Sequence, residues 1–371
     1  MSDDFLKLLY TWDYRMRWAP IIRPVERGMG GRPYPYSAST FLEDYQSALA
    51  YLSRFGYDGI VIWGFLRDSH GGIQAARELC RQADNYGMRI IAGVGVNCYG
   101  GIYWEGENEY NLQNWVQRHP ELAAIDQDGK PIIKQSSDGG GSMLCPSRPE
   151  NLQWHLDGLS YLLEEIPIHG ILYETGDYGI CSCPDCKNRS GHVQPYSYAD
   201  LVDILPTLMT HVYSLRKDVM QIGLSYGTIP YYLSLGLGAV EKYLPKYAWY
   251  VWGFEGGAGW QAYEQDPWRS VIREPNDEVR PVTGRDIAFL SYNCYAGFDD
   301  GLISIERIRT AYRMCREKGI RGLMMMGELA EPSNLINYLS LDFFYRNPEA
   351  DIWDCLDFVL AQKNKGRNRK N

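Results

Sequence analysis

Histidine is scarce in this 371-residue chain, with six in all. That scarcity works against a His-ligated catalytic metal centre, which needs several imidazoles in one place. Positive charge is also in deficit. Thirty-seven Lys and Arg stand against 46 Asp and Glu, a formal net charge of −9, which argues against nucleic acid and against an anionic membrane surface as partner. No run approaches the ~20 apolar residues of a membrane span. No basic stretch followed by an apolar run and a small-residue cleavage site opens the chain. The nine cysteines lack the spacing of a disulfide framework. A cytoplasmic protein is therefore expected. Missing too are a GxSxG elbow, a P-loop and the Gly-rich turn that a dinucleotide fold places after its first strand, where this chain has TWDYRMRW.

What the chain has in excess is aromatic side chains with a polar handle: 29 Tyr and 11 Trp against 10 Phe. A Tyr-rich packed core would produce such a count. So would a wet, concave surface on which the flat C–H faces of sugar rings stack.

A β-rich run, a polar loop and an amphipathic helix alternate along the chain. The runs cover 8–16, 57–65, 88–97, 168–177, 221–229, 247–253, 287–295 and 320–328. Helical spacing marks 41–55, 73–86, 152–165, 198–215 and 305–318, with weaker patterns at 240–244 and 334–344. Gly56, Gly87 and Gly319 stand where three of these helices should stop. Eight β-then-α units without a hairpin signature predict parallel strands closed into a single-domain α/β (β/α)₈ TIM barrel over 1–362. The basic segment 363–371 is expected to be a disordered tail. Long βα-loop insertions are expected after strand three (98–149) and strand six (254–285).

Function in such a barrel belongs at the C-terminal ends of the strands. The groups standing there are Asp13 and Arg15 on run one, Trp63 on run two with Arg67 after it, and Asn97 on run three. Glu174 and Asp177 close run four. Tyr226, then Trp252 with Glu255, then Tyr292 with Asn293, and finally Glu328 complete the rim. Carboxylates and aromatics converging on one rim are what glycoside hydrolysis requires, since one carboxyl protonates the leaving oxygen while another attacks or activates water. Asp13, Arg15 and Asn97 are candidates for hydroxyl binding. Trp63, Tyr226, Trp252 and Tyr292 are candidates for stacking.

The sharpest local motif follows Asp177. Cys181, Cys183 and Cys186 form a CxCxxC, a spacing suited to soft-metal ligation. Zinc prefers four such ligands, and Cys145 is the first choice for the fourth, with Cys98 in reserve. A four-Cys site has no open position, so a Zn²⁺ ion there would be structural. No organic cofactor is expected.

The run from Asp177 to Cys186, DYGICSCPDC, resembles the acid loop of the family 42 β-galactosidases. In that family a catalytic Glu ending strand four is followed by Tyr-Gly and a zinc-binding CxCxxC. HPELAAIDQDGKP (119–131) and MLCPSRPE (143–150) are similar to that family's preceding segment, which supplies a fourth cysteine. The resemblance covers 118–189. It implies a glycosidase of the (β/α)₈-barrel superfamily in which Asp177 is the acid/base and Cys145 completes a zinc site. Gly176-Asp177 replaces that family's Asn-Glu, so the proton donor is one methylene shorter. Residues 327–356 resemble the closing segment of the α-N-acetylglucosaminidase-type barrels, which implies Glu328 as nucleophile or base. Glu174 and Glu255 are alternatives for the second carboxylate. The expected partner is an oligosaccharide or glycoside, and the fold leaves room for a homo-oligomer. Two other readings remain: a non-catalytic carbohydrate-binding barrel, and a sugar-acid lyase or isomerase in which Arg15 and Arg67 bind the substrate carboxylate.

Overall fold

The computed structural model describes residues 5–12, 38–133, 141–174, 181–190, 198–224, 244–253, 284–290, 301–326 and 332–367. Eight strands appear, one overlapping each expected run, with β1, β5 and β7 starting one or two residues before theirs. They are β1 (Leu6–Trp12), β2 (Gly59–Trp63), β3 (Arg89–Gly95), β4 (Gly170–Glu174), β5 (Met220–Leu224), β6 (Trp249–Gly253), β7 (Asp286–Leu290) and β8 (Gly322–Met326). They pair in chain order, all parallel, and β8 closes on β1 from Leu6↔Gly322 to Tyr10↔Met326. The fold is a (β/α)₈ barrel.

Side-chain alternation divides each strand between two cores. On β2, Ile60 and Ile62 face the helices while Val61 and Trp63 enter the barrel. On β4, Ile171 and Tyr173 face outward and Leu172 inward, so Glu174 continues the inward series. Gly93 on β3 is required by this interior, because a methyl there would stand 2.3 Å from a ring carbon of Trp63.

The described helices are α1 (Ala38–Leu52), α2 (Gly72–Asn85), α3 (Leu112–Arg118), α4 (Pro149–Glu165), α5 (Pro184–Ser190), α6 (Tyr198–Leu215), α7 (Gly301–Lys318), α8 (Pro332–Arg346) and α9 (Ile352–Arg367). Gly56, Gly87 and Gly319 adopt φ of 62°, 63° and 71°. These left-handed conformations end the helical segments where the sequence placed the stops. None of the described helices is long and apolar enough to cross a membrane.

Three expectations need adjustment. Helix α9 runs through Arg367, five residues into the stretch expected as a disordered tail. Lys and Gln are good helix formers, so a polar, basic composition alone does not stop a helix. Leu244 is not helical, and the rest of the weak 240–244 pattern lies outside the described residues. The short helices α3 and α5 went unforeseen because seven residues carry too little periodicity to be read. The expected insertion after β3 spans the chain up to α4 and contains α3. Residues 254–283 of the expected insertion after β6 lie outside the described residues.

Candidate active site and cysteine centre

β4 ends on Glu174, whose side chain is 1% exposed. Its Oε2 accepts a hydrogen bond from the Tyr10 hydroxyl at 2.9 Å. Tyr10 comes from β1 and Glu174 from β4, so the bond crosses the barrel interior. The Glu174 backbone carbonyl accepts from the Val96 N–H at 2.7 Å, which fixes the same residue from the β3 side.

The chain leaving β3 is strained. Asn97 and Tyr99 take φ of 61° and 56°, a region unfavourable for residues with a Cβ, and each such residue costs about 1–3 kcal/mol. The surroundings hold them there. The Asn97 N–H donates to His155 Nε2 at 3.2 Å, and the Asn97 side-chain oxygen stands 3.1 Å from the same nitrogen. The Asn97 carbonyl accepts from the Leu144 N–H at 2.9 Å. His155 is fully buried on α4, and burial pushes its pKa down to about 3, so it stays neutral and can accept. Asn97 is thus at the end of β3 as expected, but its side chain is engaged with His155.

Trp63 is a correction. It was expected to offer a stacking face, yet it is fully buried, with Tyr99 and Trp104 packed against it at centroid distances of 5.1 Å each. It packs the top of the barrel. Arg67 is 2% exposed. Its Nε donates to the Gly64 carbonyl at 3.1 Å, its Nη1 lies 3.4 Å from Glu105, and its guanidinium lies over the Trp104 ring at 5.0 Å. This arginine serves the β2–β3 loops, which removes it from the substrate-carboxylate role that a lyase would require. Trp252 stands on β6, with its side chain outside the described residues. Asp13, Arg15, Asp177, Tyr226, Glu255, Tyr292, Asn293 and Glu328 also lie outside them.

The four expected cysteines do come together. Cys145, Cys181, Cys183 and Cys186 are all buried, and their sulfurs lie within 4.8 Å of one another. Cys145 Sγ is 3.7 Å from Cys183 Sγ, 3.7 Å from Cys186 Sγ and 3.5 Å from Cys181 Sγ. A disulfide would bring two sulfurs to about 2.05 Å, whereas four sulfurs bound at ~2.3 Å to one tetrahedral ion stand about 3.8 Å apart. The observed spacings match the second case, so the residues fit a metal ion. Cys98, the reserve, is elsewhere, with its thiol 3.2 Å from the Val96 carbonyl.

The shell around the sulfurs also suits a metal. The Ile125 N–H donates to Cys181 Sγ and the Cys186 N–H to Cys183 Sγ, each at 3.4 Å, and Ser147 Oγ lies 3.0 Å from Cys186 Sγ. Such bonds orient and stabilise thiolates. Ala124 and Met143 pack against the sulfurs, with Ile125 and Ile132 at the edge. The Cys145 and Cys186 thiols beside Cys181 hold its pKa down, while Cys145 is pushed up.

Two residues unnoticed in the sequence anchor this centre and the barrel mouth. Asn151 on α4 donates to the Leu122 and Cys145 carbonyls at 2.8 and 3.0 Å and accepts from Trp115 Nε1 at 2.9 Å. Tyr10 holds Glu174. Period-two alternation on β1 puts Tyr10 inside the barrel, but no local signal names its partner 164 residues away.

No protein-family model matches the chain, and no curated protein is detectably similar in sequence. Solved structures do resemble it. An α-amylase from Lactobacillus plantarum superposes with a TM-score of 0.53 at 14% identity, over 88% of this chain and 72% of that one. A maltogenic α-amylase from Thermotoga neapolitana gives 0.53 at 11%, over 93% and 78%. An O-GlcNAc hydrolase from Thermobaculum terrenum gives 0.50 at 11%, over 97% and 62%. The barrel of these glycosidases is the fold of this chain. At such identities the likeness is one of fold alone.

Proposed function

We propose that the chain is a glycoside hydrolase with Asp177 as acid/base and Glu328 as nucleophile or base. The observation that carries this reading is where the acidic residues fall in a closed barrel. β4 ends on the inward, buried Glu174, and Asp177 follows three residues later. β8 ends at Met326, and Glu328 follows two residues later. In a barrel ordered β1 to β8, β4 and β8 stand opposite each other, as suits two carboxyl groups that flank one glycosidic bond. Asp177 would protonate the leaving oxygen as the C–O bond breaks, and Glu328 would meet the anomeric carbon directly or through water. Glu174 and Glu255 are the alternatives for the second role. The substrate is an oligosaccharide or glycoside, and its hydroxyls and rings are met by Asp13, Arg15, Asn97, Tyr226, Trp252, Tyr292 and Asn293.

The cysteine centre holds a structural Zn²⁺ ion in this reading. Four cysteines leave no open coordination position, so the ion supplies folding energy and no chemistry. The chain here is one catalytic barrel.

A panel of aryl glycosides and oligosaccharides covering both anomers tests the activity. Asp177→Asn and Glu328→Gln should each lower kcat by about 100-fold or more, the scale of one acid/base or nucleophilic group, while leaving the thermal transition in place. Full activity in both variants would refute the assignment.

A further inference from the structure

We infer that the outer face of α9 is a self-association surface, on which the α9 of a second copy of this chain docks antiparallel across Trp353 and Leu360. The inference rests on the fold and is independent of the glycosidase reading.

The two sides of α9 differ. On the inner side Cys355 and Val359 are buried, and the Phe358 ring meets Phe343 of α8 at a centroid distance of 5.3 Å. On the outer side Trp353 is 59% exposed and Leu360 48% exposed. Four large apolar side chains are exposed among the described residues, and α9 carries two of them, including the most exposed. These two stand seven residues apart, about two helical turns, and so share one stripe. Apolar residues scattered singly over a surface are ordinary, whereas a tryptophan and a leucine in line mark an interaction site.

The stripe is held ready. Asp351 Oδ1 accepts from the Trp353 and Asp354 N–H groups at 2.8 and 2.9 Å, which caps the first turn of α9. The packed inner side fixes the rest of the helix against α8. A surface already in its bound form gives up little freedom on association.

Charge selects the occupant. Asp354 and Asp357, both exposed, stand in the first half of α9, and Lys363, Lys365 and Arg367 stand in the second. Another α9 laid antiparallel sets each acidic half against a basic half, while a parallel one would set like against like. Leu360 lies near the middle of the helix, where such a pair crosses, so the leucine meets its own counterpart in a two-fold contact. A 16-residue helix is about 24 Å long. One helix pair of that length makes a small interface, with an expected Kd on the order of 10 µM.

Sedimentation velocity on the full chain from about 1 to 200 µM, concentrations that bracket this Kd, tests the inference. Wild type should pass reversibly from monomer to dimer, and added salt should weaken the dimer. Leu360→Arg should raise Kd by about 30-fold or more, with the thermal transition in place because the side chain is exposed. Asp354→Lys/Asp357→Lys makes the helix basic throughout, and Lys363→Glu/Lys365→Glu makes it acidic throughout. Each alone should raise Kd about 10-fold, and their equimolar mixture should dimerise at least as tightly as wild type. A wild type that stays monomeric at the highest concentration overturns the inference and leaves the face to a different protein. A dimer indifferent to Leu360→Arg, or a mixture no tighter than its two components, also overturns it. None of these outcomes bears on the glycosidase reading.

Discussion

Replacing Cys183 with serine removes one of four sulfurs that stand 3.5–3.7 Å from one another along the measured pairs. Structural zinc in small peptide sites binds with about 10–16 kcal/mol of apparent free energy. Divided among four ligands, that is roughly 3–4 kcal/mol each, or a loss of affinity of about 100- to 1,000-fold. At saturating metal, a 100-fold loss takes about 2.7 kcal/mol from stability and a 1,000-fold loss about 4. A chain of 371 residues unfolds with an entropy of about 0.8 kcal/mol/K, so Cys183→Ser should lower Tm by roughly 3–5 °C. Metal analysis after dialysis against a chelator should find one zinc per wild-type chain and none in the variant. Cys98→Ser is the control. Its thiol bonds the Val96 carbonyl and touches none of the four, so zinc content should remain at one. A native wild-type protein free of metal, or a Cys183→Ser protein with full zinc and an unshifted Tm, would refute the reasoning.

Gly93→Ala places a methyl 2.3 Å from a Trp63 ring carbon and 3.0 Å from its Cα, and Tyr99 and Trp104 leave that ring nowhere to go. Overpacking of this kind costs about 1–3 kcal/mol, so thermal unfolding should shift down by about 1–4 °C, and an unchanged Tm would show that the barrel top yields. His155 supplies a pH test. Its folded pKa is about 3 against an ordinary 6.5, so below pH 6.5 the unfolded chain takes up a proton that the folded chain refuses. Stability therefore falls as pH falls from 6.5 toward 3, by up to about 1.4 kcal/mol per unit from this group. Denaturant midpoints of His155→Gln should decline less steeply over that window, and coincident slopes would sink the assignment.

The barrel was readable in the sequence because its cause is local. The strands advertise themselves by short apolar runs, and the longer helices between them by their spacing, three with a glycine stop, so a short window holds the signal. Eight repeats of that signal then leave few closures to choose from. The cysteine centre was readable for a related reason: three of its four sulfurs lie within six residues, and Cys145, on the loop before strand four in a segment resembling the one that supplies the fourth cysteine in the family 42 β-galactosidases, was the first choice for the fourth. Strand ends were less readable. Run three extends in sequence to Asn97, but the strand stops at Gly95, because propensity does not mark where ladder pairing ends.

What only the tertiary structure decided is which polar and aromatic groups meet. Trp63 carries the same residue type whether it faces a sugar or a core, and it was the loop at Tyr99 and Trp104 folding over it that made it core. Arg67 is as cationic in the sequence as any rim arginine, yet Glu105 and the Trp104 ring claim it. The Tyr10–Glu174 bond spans 164 residues of chain, and His155 reaches back 58 to Asn97. Such contacts depend on where closed strands bring distant side chains, and no short window of sequence contains both partners. The sequence by itself determined the architecture and most of the cysteine cluster, since both are written largely in local pattern. The chemistry of the barrel mouth is a matter of non-local neighbours, and the three-dimensional fold assigned those.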